Sequence, residues 1–351
     1  MHRFFIPEHT SRSRRGFTLV ELLAVIAIMV ILLSVAIPAI RPALKDRKLR
    51  EASRLLNAYV AGVQARAAEL GRPVGIVLVR GKTNAQDVYQ CTEIFTAEVP
   101  QPYAGDLVGS RARISQNGGN WSVSFAGNPF FNTILTPNEL FALRLDYKDP
   151  LYPCRRTGNQ VAMIQTAGLD LAGPPRQYVN SDGTAKRAVP FQVYRTPARS
   201  SASPLQLPNG VAIDLSVSGM GFQGNHFSPD FKPDSMPWKG NITIMFAANG
   251  SVDSVFIGGQ PLPQASKIYL LVARVNQINA TDPFKRPTQS DRDGANLPDA
   301  ANTWFTINPK TGHIRNSANR ADLVGTPPKN LGTGIQQARQ DAIEGIGVGG
   351  R

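Results

Sequence analysis

The chain has 351 residues, of which 42% are hydrophobic, so it is long enough to bury a sizeable core in one large domain or two small ones. Its 38 Lys and Arg residues outnumber its 25 Asp and Glu residues, and the formal net charge of +13 suits an acidic partner such as nucleic acid or anionic lipid. Two cysteines are too few for a disulfide scaffold or a thiolate metal site, and the sequence has neither a fixed-period repeat nor a long low-complexity tract.

A long apolar segment follows a basic N-terminus. Residues 17–40 include one charged side chain, that of Glu21, and a helix rising about 1.5 Å per residue over this length exceeds the roughly 30 Å hydrocarbon core of a bilayer. The segment is longer than the core of a secretory signal peptide, and no Ala-x-Ala site follows it. Arginines precede it, although basic residues also follow it. We therefore predict a retained, single-pass transmembrane helix over residues 17–40 with a cytoplasmic N-terminus.

The start of this segment carries a specific motif. Arg14-Arg15-Gly16-Phe17-Thr18-Leu19-Val20-Glu21 resembles the processing signature of type IV prepilins and type II secretion pseudopilins. The resemblance implies a leader over residues 1–16, cleavage between Gly16 and Phe17 by a membrane aspartyl peptidase, and N-methylation of Phe17. Glycine suits the cleavage position because it lets an extended backbone enter a narrow active site.

Two further residues match the same family. An ionisable side chain within an apolar segment usually has a partner, and the resemblance pairs Glu21 with the amino terminus of a neighbouring subunit. The alternative is a glutamate near enough to the membrane interface to reach headgroups and water. The resemblance also implies a helix kink at Pro38, since proline removes a backbone N–H and its ring clashes with the preceding turn.

Beyond this segment the pattern predicts an amphipathic continuation of the helix over residues 41–71. Apolar residues recur at a spacing of three or four positions, which indicates one face that needs a core to cover it. This stripe consists of Leu49, Ala52, Leu56, Tyr59, Val60, Val63, Ala67 and Leu70. Gly71 and Pro73 end the helix, because glycine suits the capping position and proline cannot continue it.

Short apolar, β-branched runs predict a β-rich globular domain over residues 72–325. The candidate strands are residues 74–79, 211–217, 242–246, 254–257, 267–275 and 304–307. Turn signals lie at Asn249-Gly250 and at Lys310-Thr311-Gly312. The predicted fold class is α+β: a long N-terminal helix with a membrane half and an amphipathic half, packed on an antiparallel sheet in a pilin-like arrangement.

The length of the domain departs from the simplest pilin-like pattern. Residues 69–77, 242–250 and 305–312 resemble fragments of the small H-type minor pseudopilins. This chain is longer than that pattern, and we place a large insertion at about residues 81–208. Polar and Gly-rich composition near the C-terminus predicts a flexible tail over residues 326–351.

Two candidate structural sites lie in the globular domain. Cys91 and Cys154 are compatible with one disulfide in an oxidising compartment, and their spacing does not decide it. An acidic turn offers oxygen ligands for calcium, but it lacks the terminal glutamate of an EF-hand and also fits a solvated loop. Its candidate ligands are Asp291, Asp293, Asn296 and Asp299. Apart from calcium, no cofactor is expected.

The sequence carries no positive sign of an enzyme. It has neither a G-x-S-x-G elbow nor a Walker-type phosphate loop. His226 and His313, the two histidines beyond the apolar segment, are far apart and lack ligand spacing. We therefore expect a protein that is not an enzyme.

The expected function is that of a structural pilin-like subunit, a minor pseudopilin, of a type II secretion pseudopilus or a type IV pilus. The resemblance implies other pilin-like subunits, a prepilin peptidase and methyltransferase, an inner-membrane assembly platform and the lipid bilayer as partners. It places the protein in the bacterial inner membrane with a periplasmic globular domain, and then in a periplasmic or extracellular filament. The alternative is a minor pilin that binds DNA or a surface ligand, with Arg195, Arg199, Lys232 and Lys239 as available basic residues. A membrane-anchored enzyme is the third reading.

Overall fold

The structure is a computed structural model of the full chain. It describes residues 18–81, 87–117, 119–164, 175–231, 240–262, 266–286, 294–322 and 330–347, and within the first range the side chains of residues 35–45 are outside the description. The chain divides into two compact units, Met1–Lys48 and Leu49–Arg351.

The described residues form four α-helices and nineteen strands. The helices are α1 (Leu19–Leu70), α2 (Phe131–Ile134), α3 (Leu331–Ala338) and α4 (Gln340–Glu344). The strands are β1 (Val74–Val79), β2 (Gln90–Cys91), β3 (Glu93–Glu98), β4 (Ala112–Asn117), β5 (Asn120–Ser124), β6 (Leu140–Leu145), β7 (Tyr152–Gly158), β8 (Val161–Ile164), β9 (Ala188–Val189), β10 (Phe191–Arg195), β11 (Ala198–Arg199), β12 (Leu205–Gln206), β13 (Val211–Met220), β14 (Ile242–Phe246), β15 (Val252–Ile257), β16 (Gln260–Leu262), β17 (Ile268–Arg274), β18 (Thr303–Ile307) and β19 (Ile314–Ala318). The α+β class is thus confirmed, and each candidate strand lies on an observed one.

The predicted stripe on the second half of α1 is confirmed at most positions. Its fully or almost fully buried members are Leu49, Ala52, Leu56, Val60, Val63 and Ala67. Tyr59 is partly buried, whereas Leu70 is 42% exposed because it lies in the last turn of the helix. The helix ends where predicted, since Gly71 adopts a left-handed φ of 61° that favours glycine.

Two antiparallel sheets cover this stripe. Sheet A has the strand order β11-β3-β1-β14-β15-β16, with β12 also paired to β3, and sheet B has the order β19-β18-β17-β13-β2. The stripe of α1 shares one hydrophobic core with Ile76 and Ile244 of sheet A and with Ile213 and Leu270 of sheet B. Buried aliphatic side chains from all three elements therefore hold the helix against the domain.

Gln64 of α1 joins the turns of both sheets. Its Nε2 donates to the carbonyl of Gly250, in the β14–β15 turn, at 3.2 Å and to that of Gly312, in the β18–β19 turn, at 2.8 Å. These are the two turns that the sequence predicts, and both glycines have positive φ angles, of 84° and 66°. A side chain on Gly312 would also meet the carbonyl of Gly250. The two hairpins and the helix are thus tied at one point.

The predicted insertion is shorter than residues 81–208 and has its own core. A third sheet has the order β10-β6-β7-β8-β5-β4-β9 and spans residues 112–195. Its outermost strands, β9 and β10, are separated in sequence by Pro190 alone, so the sheet curls until its edges meet; we call it the inserted barrel. Its core includes stacked and edge-on contacts among Phe125, Phe131 and Phe141. The flanking strands β2, β3, β11 and β12 belong to sheets A and B.

The predicted flexible tail over residues 326–351 is wrong for residues 330–347. Asn330 caps α3 by accepting a hydrogen bond from the Thr333 amide at 2.8 Å, and α4 ends at Gly345. Ile335, Ala338 and Ala342 are buried against sheet B, because their spacing gives the two short helices an apolar face.

Arg339, between α3 and α4, anchors these helices. Its side chain is fully buried and donates to the carbonyls of Val217 and Gly221, both at 2.7 Å. Its guanidinium lies 4.6 Å from the ring centroid of Tyr269 and 4.8 Å from that of Trp304. Burial lowers the pKa of Arg339 to about 9, which still leaves the side chain charged at neutral pH.

Candidate functional site

The start of α1 is built by a reciprocal hydrogen-bond pair. The Thr18 amide and the Thr18 hydroxyl both donate to Oε2 of Glu21, each at 3.0 Å, and the Glu21 amide donates to the Thr18 hydroxyl at 3.3 Å. This is a capping box, in which two residues satisfy backbone donors that the first helical turn leaves without partners. Two of the three bonds use Oε2 of the carboxylate, and the third uses the Glu21 amide. Glu21 therefore has a local structural role that the sequence analysis did not assign, although the Thr-x-x-Glu spacing is its signal.

The first half of α1 exposes its apolar side chains on every side. Residues 18–34 are all exposed. The large apolar ones are between 46% and 78% exposed; they are Leu19, Val20, Leu22, Leu23, Val25, Ile26, Ile28, Met29, Val30, Ile31, Leu32 and Leu33. Contiguous exposed apolar surface of this kind marks an interaction site.

The transmembrane span predicted over residues 17–40 is not confirmed. Among the residues that the structure describes, no helix is both long enough and apolar enough to cross a membrane. The processing residues Gly16 and Phe17 lie outside the described residues, as does the side chain of Pro38. Cleavage, methylation and the kink at Pro38 therefore stay predictions.

The suggested disulfide between Cys91 and Cys154 is not formed. Both are free thiols and both are buried, Cys91 in the core that α1 shares with the two sheets and Cys154 in the core of the inserted barrel. Burial raises the pKa of both thiols, that of Cys91 to about 12, so neither is a reactive thiolate at neutral pH. The two cysteines are not bridged because they belong to separate hydrophobic cores.

The candidate calcium ligands fall into two groups. Asp291 and Asp293 lie outside the described residues. Asn296 is buried and donates to Oδ2 of Asp214 at 2.8 Å, while Asp299 accepts from Nη1 of Arg274 at 2.7 Å. The two described candidates are thus engaged in contacts within the fold.

Asp214, which the sequence analysis missed, is a fully buried carboxylate. Its oxygens accept from the amide and hydroxyl of Ser216, at 3.0 Å and 2.5 Å, and from Asn296. Burial raises the pKa of Asp214 above its usual value, and these hydrogen bonds oppose that effect in part. Its position in an apolar β-branched strand gave no sequence signal for such a network.

The two histidines are far from any metal-like arrangement. Nδ1 of His226 accepts from the Met220 amide at 3.3 Å, and its ring lies 4.5 Å from that of Phe231. Within the described ranges, no group of three or more His, Cys, Asp or Glu side chains is arranged to hold a metal ion.

Comparison with known proteins identifies the N-terminal segment. Residues 11–37 match the family described as the prokaryotic N-terminal methylation motif. No curated protein and no solved structure matches the chain, so neither the H-type subclass nor a pilin fold is confirmed. The motif covers the predicted cleavage site, Glu21 and the exposed apolar half of α1 up to residue 34. The chain therefore carries the N-terminal signature of type IV prepilins and pseudopilins.

Proposed function

We propose that the protein is a structural, pilin-like subunit, a minor pseudopilin or minor pilin, of a type II secretion pseudopilus or a type IV pilus. Its leader is removed after Gly16, Phe17 is methylated, and the first half of α1 assembles with other pilin-like subunits. The observation that carries the proposal is the methylation motif over residues 11–37. The exposed apolar surface over residues 18–34 supports it, because such a surface needs cover from other molecules.

The geometry of Glu21 supports its proposed pairing with a neighbouring subunit. Oε2 makes the capping contacts with Thr18, whereas Oε1 takes no part in them. One carboxylate can therefore cap its own helix and also accept a hydrogen bond from the amino terminus of a neighbouring subunit. A misplaced subunit would leave a charge unpaired in apolar surroundings, which makes the pair a means of setting register. We propose the bacterial inner membrane as the location before assembly, with a prepilin peptidase and an assembly platform as partners.

Mass spectrometry of the mature protein tests the processing step. We expect an N-terminus at Phe17 that carries a methyl group. The variant Gly16→Leu should keep its leader, because a bulky side chain obstructs the extended backbone at the cleavage position. Ser13→Leu, three residues before the cleavage position, is the matched control and should be processed normally. An intact leader on the unmodified protein contradicts the proposal.

DNA binding receives less support from the described residues. Arg195 lines an apolar cavity, and the guanidinium of Arg199 lies over the ring of Phe95 at 4.9 Å. Lys232 and Lys239 lie outside the described residues. Retention of the protein on DNA that falls steeply with salt would restore this alternative.

A further inference from the structure

An apolar cavity lies between the inserted barrel and sheet A. Its volume is about 400 Å³, within the ~300–1,000 Å³ typical of ligand pockets. The barrel contributes side chains from β6, β7 and β10, and the β15–β16 hairpin of sheet A closes the other side. The lining includes Leu140, Ala142, Pro153, Tyr194, Phe256 and Pro261. The site is in the globular unit and does not depend on the N-terminal segment.

One cationic side chain interrupts this apolar lining. Among the described residues of the lining, Arg195 is the one that carries a formal charge. Its Nε is buried and has no hydrogen-bond partner in the described part of the chain. Burying a charge without a partner costs free energy, and an anionic group from a ligand in the cavity would balance the charge of the guanidinium.

A smaller and more polar cavity adjoins the first. It has a volume of about 190 Å³ and shares Thr196, Phe256 and Gly259 with the apolar cavity. Its other lining residues include Asn241 and Thr243, which offer polar groups. The two cavities together thus present an apolar compartment lined by Arg195 and a smaller, more polar compartment lined by Arg199.

We infer that this cleft binds a small amphiphile that has an apolar body and one acidic group. The apolar body occupies the 400 Å³ cavity, and the acidic group accepts a hydrogen bond from Arg195. Charge complementarity selects this class over an uncharged apolar molecule, because a charge-assisted hydrogen bond in partly buried surroundings is stronger than a neutral one. The ligand class covers fatty acids and aromatic acids, which share this chemistry.

A pair of matched fluorescent probes tests the inference on the full chain. Anilinonaphthalene sulfonate and N-phenylnaphthylamine share one aromatic body, and only the former carries an anionic group. We expect the anionic probe to bind about tenfold more tightly than the neutral one, as one charge-assisted hydrogen bond allows. Arg195→Met should remove this preference and leave the affinity for the neutral probe within about twofold.

Cavity-filling variants separate this site from the exposed helix. The exposed apolar half of α1 also offers a surface to dyes, but its contribution should be the same in every variant because no substitution lies on α1. Ala142→Trp, and Leu151→Trp at a 40% exposed position of the lining, should weaken both probes about tenfold. Arg113→Met, an exposed arginine on β4, is the matched control and should change neither affinity. Equal affinities for the two probes, or unchanged binding in both folded Trp variants, overturns the inference.

Discussion

The two halves of α1 differ in what covers their apolar side chains. Residues 19–34 are exposed and carry apolar side chains around the whole helix, whereas the later half carries most of its large apolar residues on a stripe that sheets A and B bury. The apolar stripe of the later half needs a hydrophobic core on one side of the helix only, and sheets A and B of the same chain supply that core. A helix that is apolar all round needs cover on every side, and the side chains of residues 18–34 are all exposed. The periodicity of the apolar residues therefore distinguishes the half of α1 that packs in the globular domain from the half whose apolar surface is left exposed.

The largest expected effect concerns Glu21 in the exposed half. Glu21→Gln removes the charge but keeps the capping box, since glutamine also serves at this position. We expect incorporation into filaments to fall to background while the helix and the globular domain stay folded. Immunoblotting of sheared filaments against total protein, with circular dichroism of the purified chain, measures both.

Thr18→Ala is the matched control for that experiment. It removes the hydroxyl that donates to Glu21 and accepts from its amide, but keeps the carboxylate. The loss should be about 1 kcal/mol of local helix stability, with incorporation retained. If Thr18→Ala blocks incorporation and Glu21→Gln does not, the carboxylate acts through capping and the proposed pairing between subunits is wrong.

A pair of Leu→Ala variants compares the two halves by stability. Leu56 is fully buried in the shared core, and Leu56→Ala should lower the free energy of unfolding by about 3 kcal/mol through lost burial and the cavity left behind. Leu33 is 54% exposed, and Leu33→Ala should change the free energy of unfolding by less than about 0.5 kcal/mol. Urea denaturation followed by tryptophan fluorescence reports on the globular domain. Equal losses of unfolding free energy in the two variants would contradict the contrast between the two halves of α1.

Sequence patterns predicted the elements that pack around α1 because those elements are strongly apolar. Strands β1 and β14 have the predicted bounds, and Asn249-Gly250 forms the predicted turn. The inserted barrel gave a weaker signal. Strand β7, for example, contains proline, glycine and two arginines, and it forms because its neighbours in the barrel pair with it.

The candidate functional residues also differ in how well the sequence predicts them. The motif from Arg14 to Glu21 is local in sequence, so residue types alone indicate it. Arg339 and Arg195 owe their environments to distant segments: the first donates to carbonyls near residue 220, and the second lies in a cleft closed by the β15–β16 hairpin. No pattern of neighbouring residues predicts that the guanidinium of Arg339 or the carboxylate of Asp214 is buried.

The smallest expected effect contrasts Asp214 with an exposed carboxylate. Burial raises the pKa of Asp214 in the folded state above its ordinary value of 3.8. The carboxyl group of Asp214 therefore binds a proton more tightly in the folded state than in the unfolded state. This tighter binding stabilises the fold, and the stabilisation is fully present below pH 3.8. That contribution is lost as pH rises through the folded-state pKa. Asp214→Asn is neutral throughout, so the stability of the unmodified protein relative to this variant should fall as pH rises.

Asp182 supplies the control of opposite sign. It is exposed, and hydrogen bonds from the Thr184 hydroxyl and amide lower its pKa, so its contribution is present at neutral pH and is lost as pH falls. Relative to Asp182→Asn, the unmodified protein should therefore gain stability as pH rises. Urea denaturation of the three proteins from pH 3 to 8 measures both differences. If the stability difference changes with pH in the same direction for both variants, burial does not control the pKa of Asp214. Burial is what makes the pKa shift of Asp214 opposite in direction to that of Asp182.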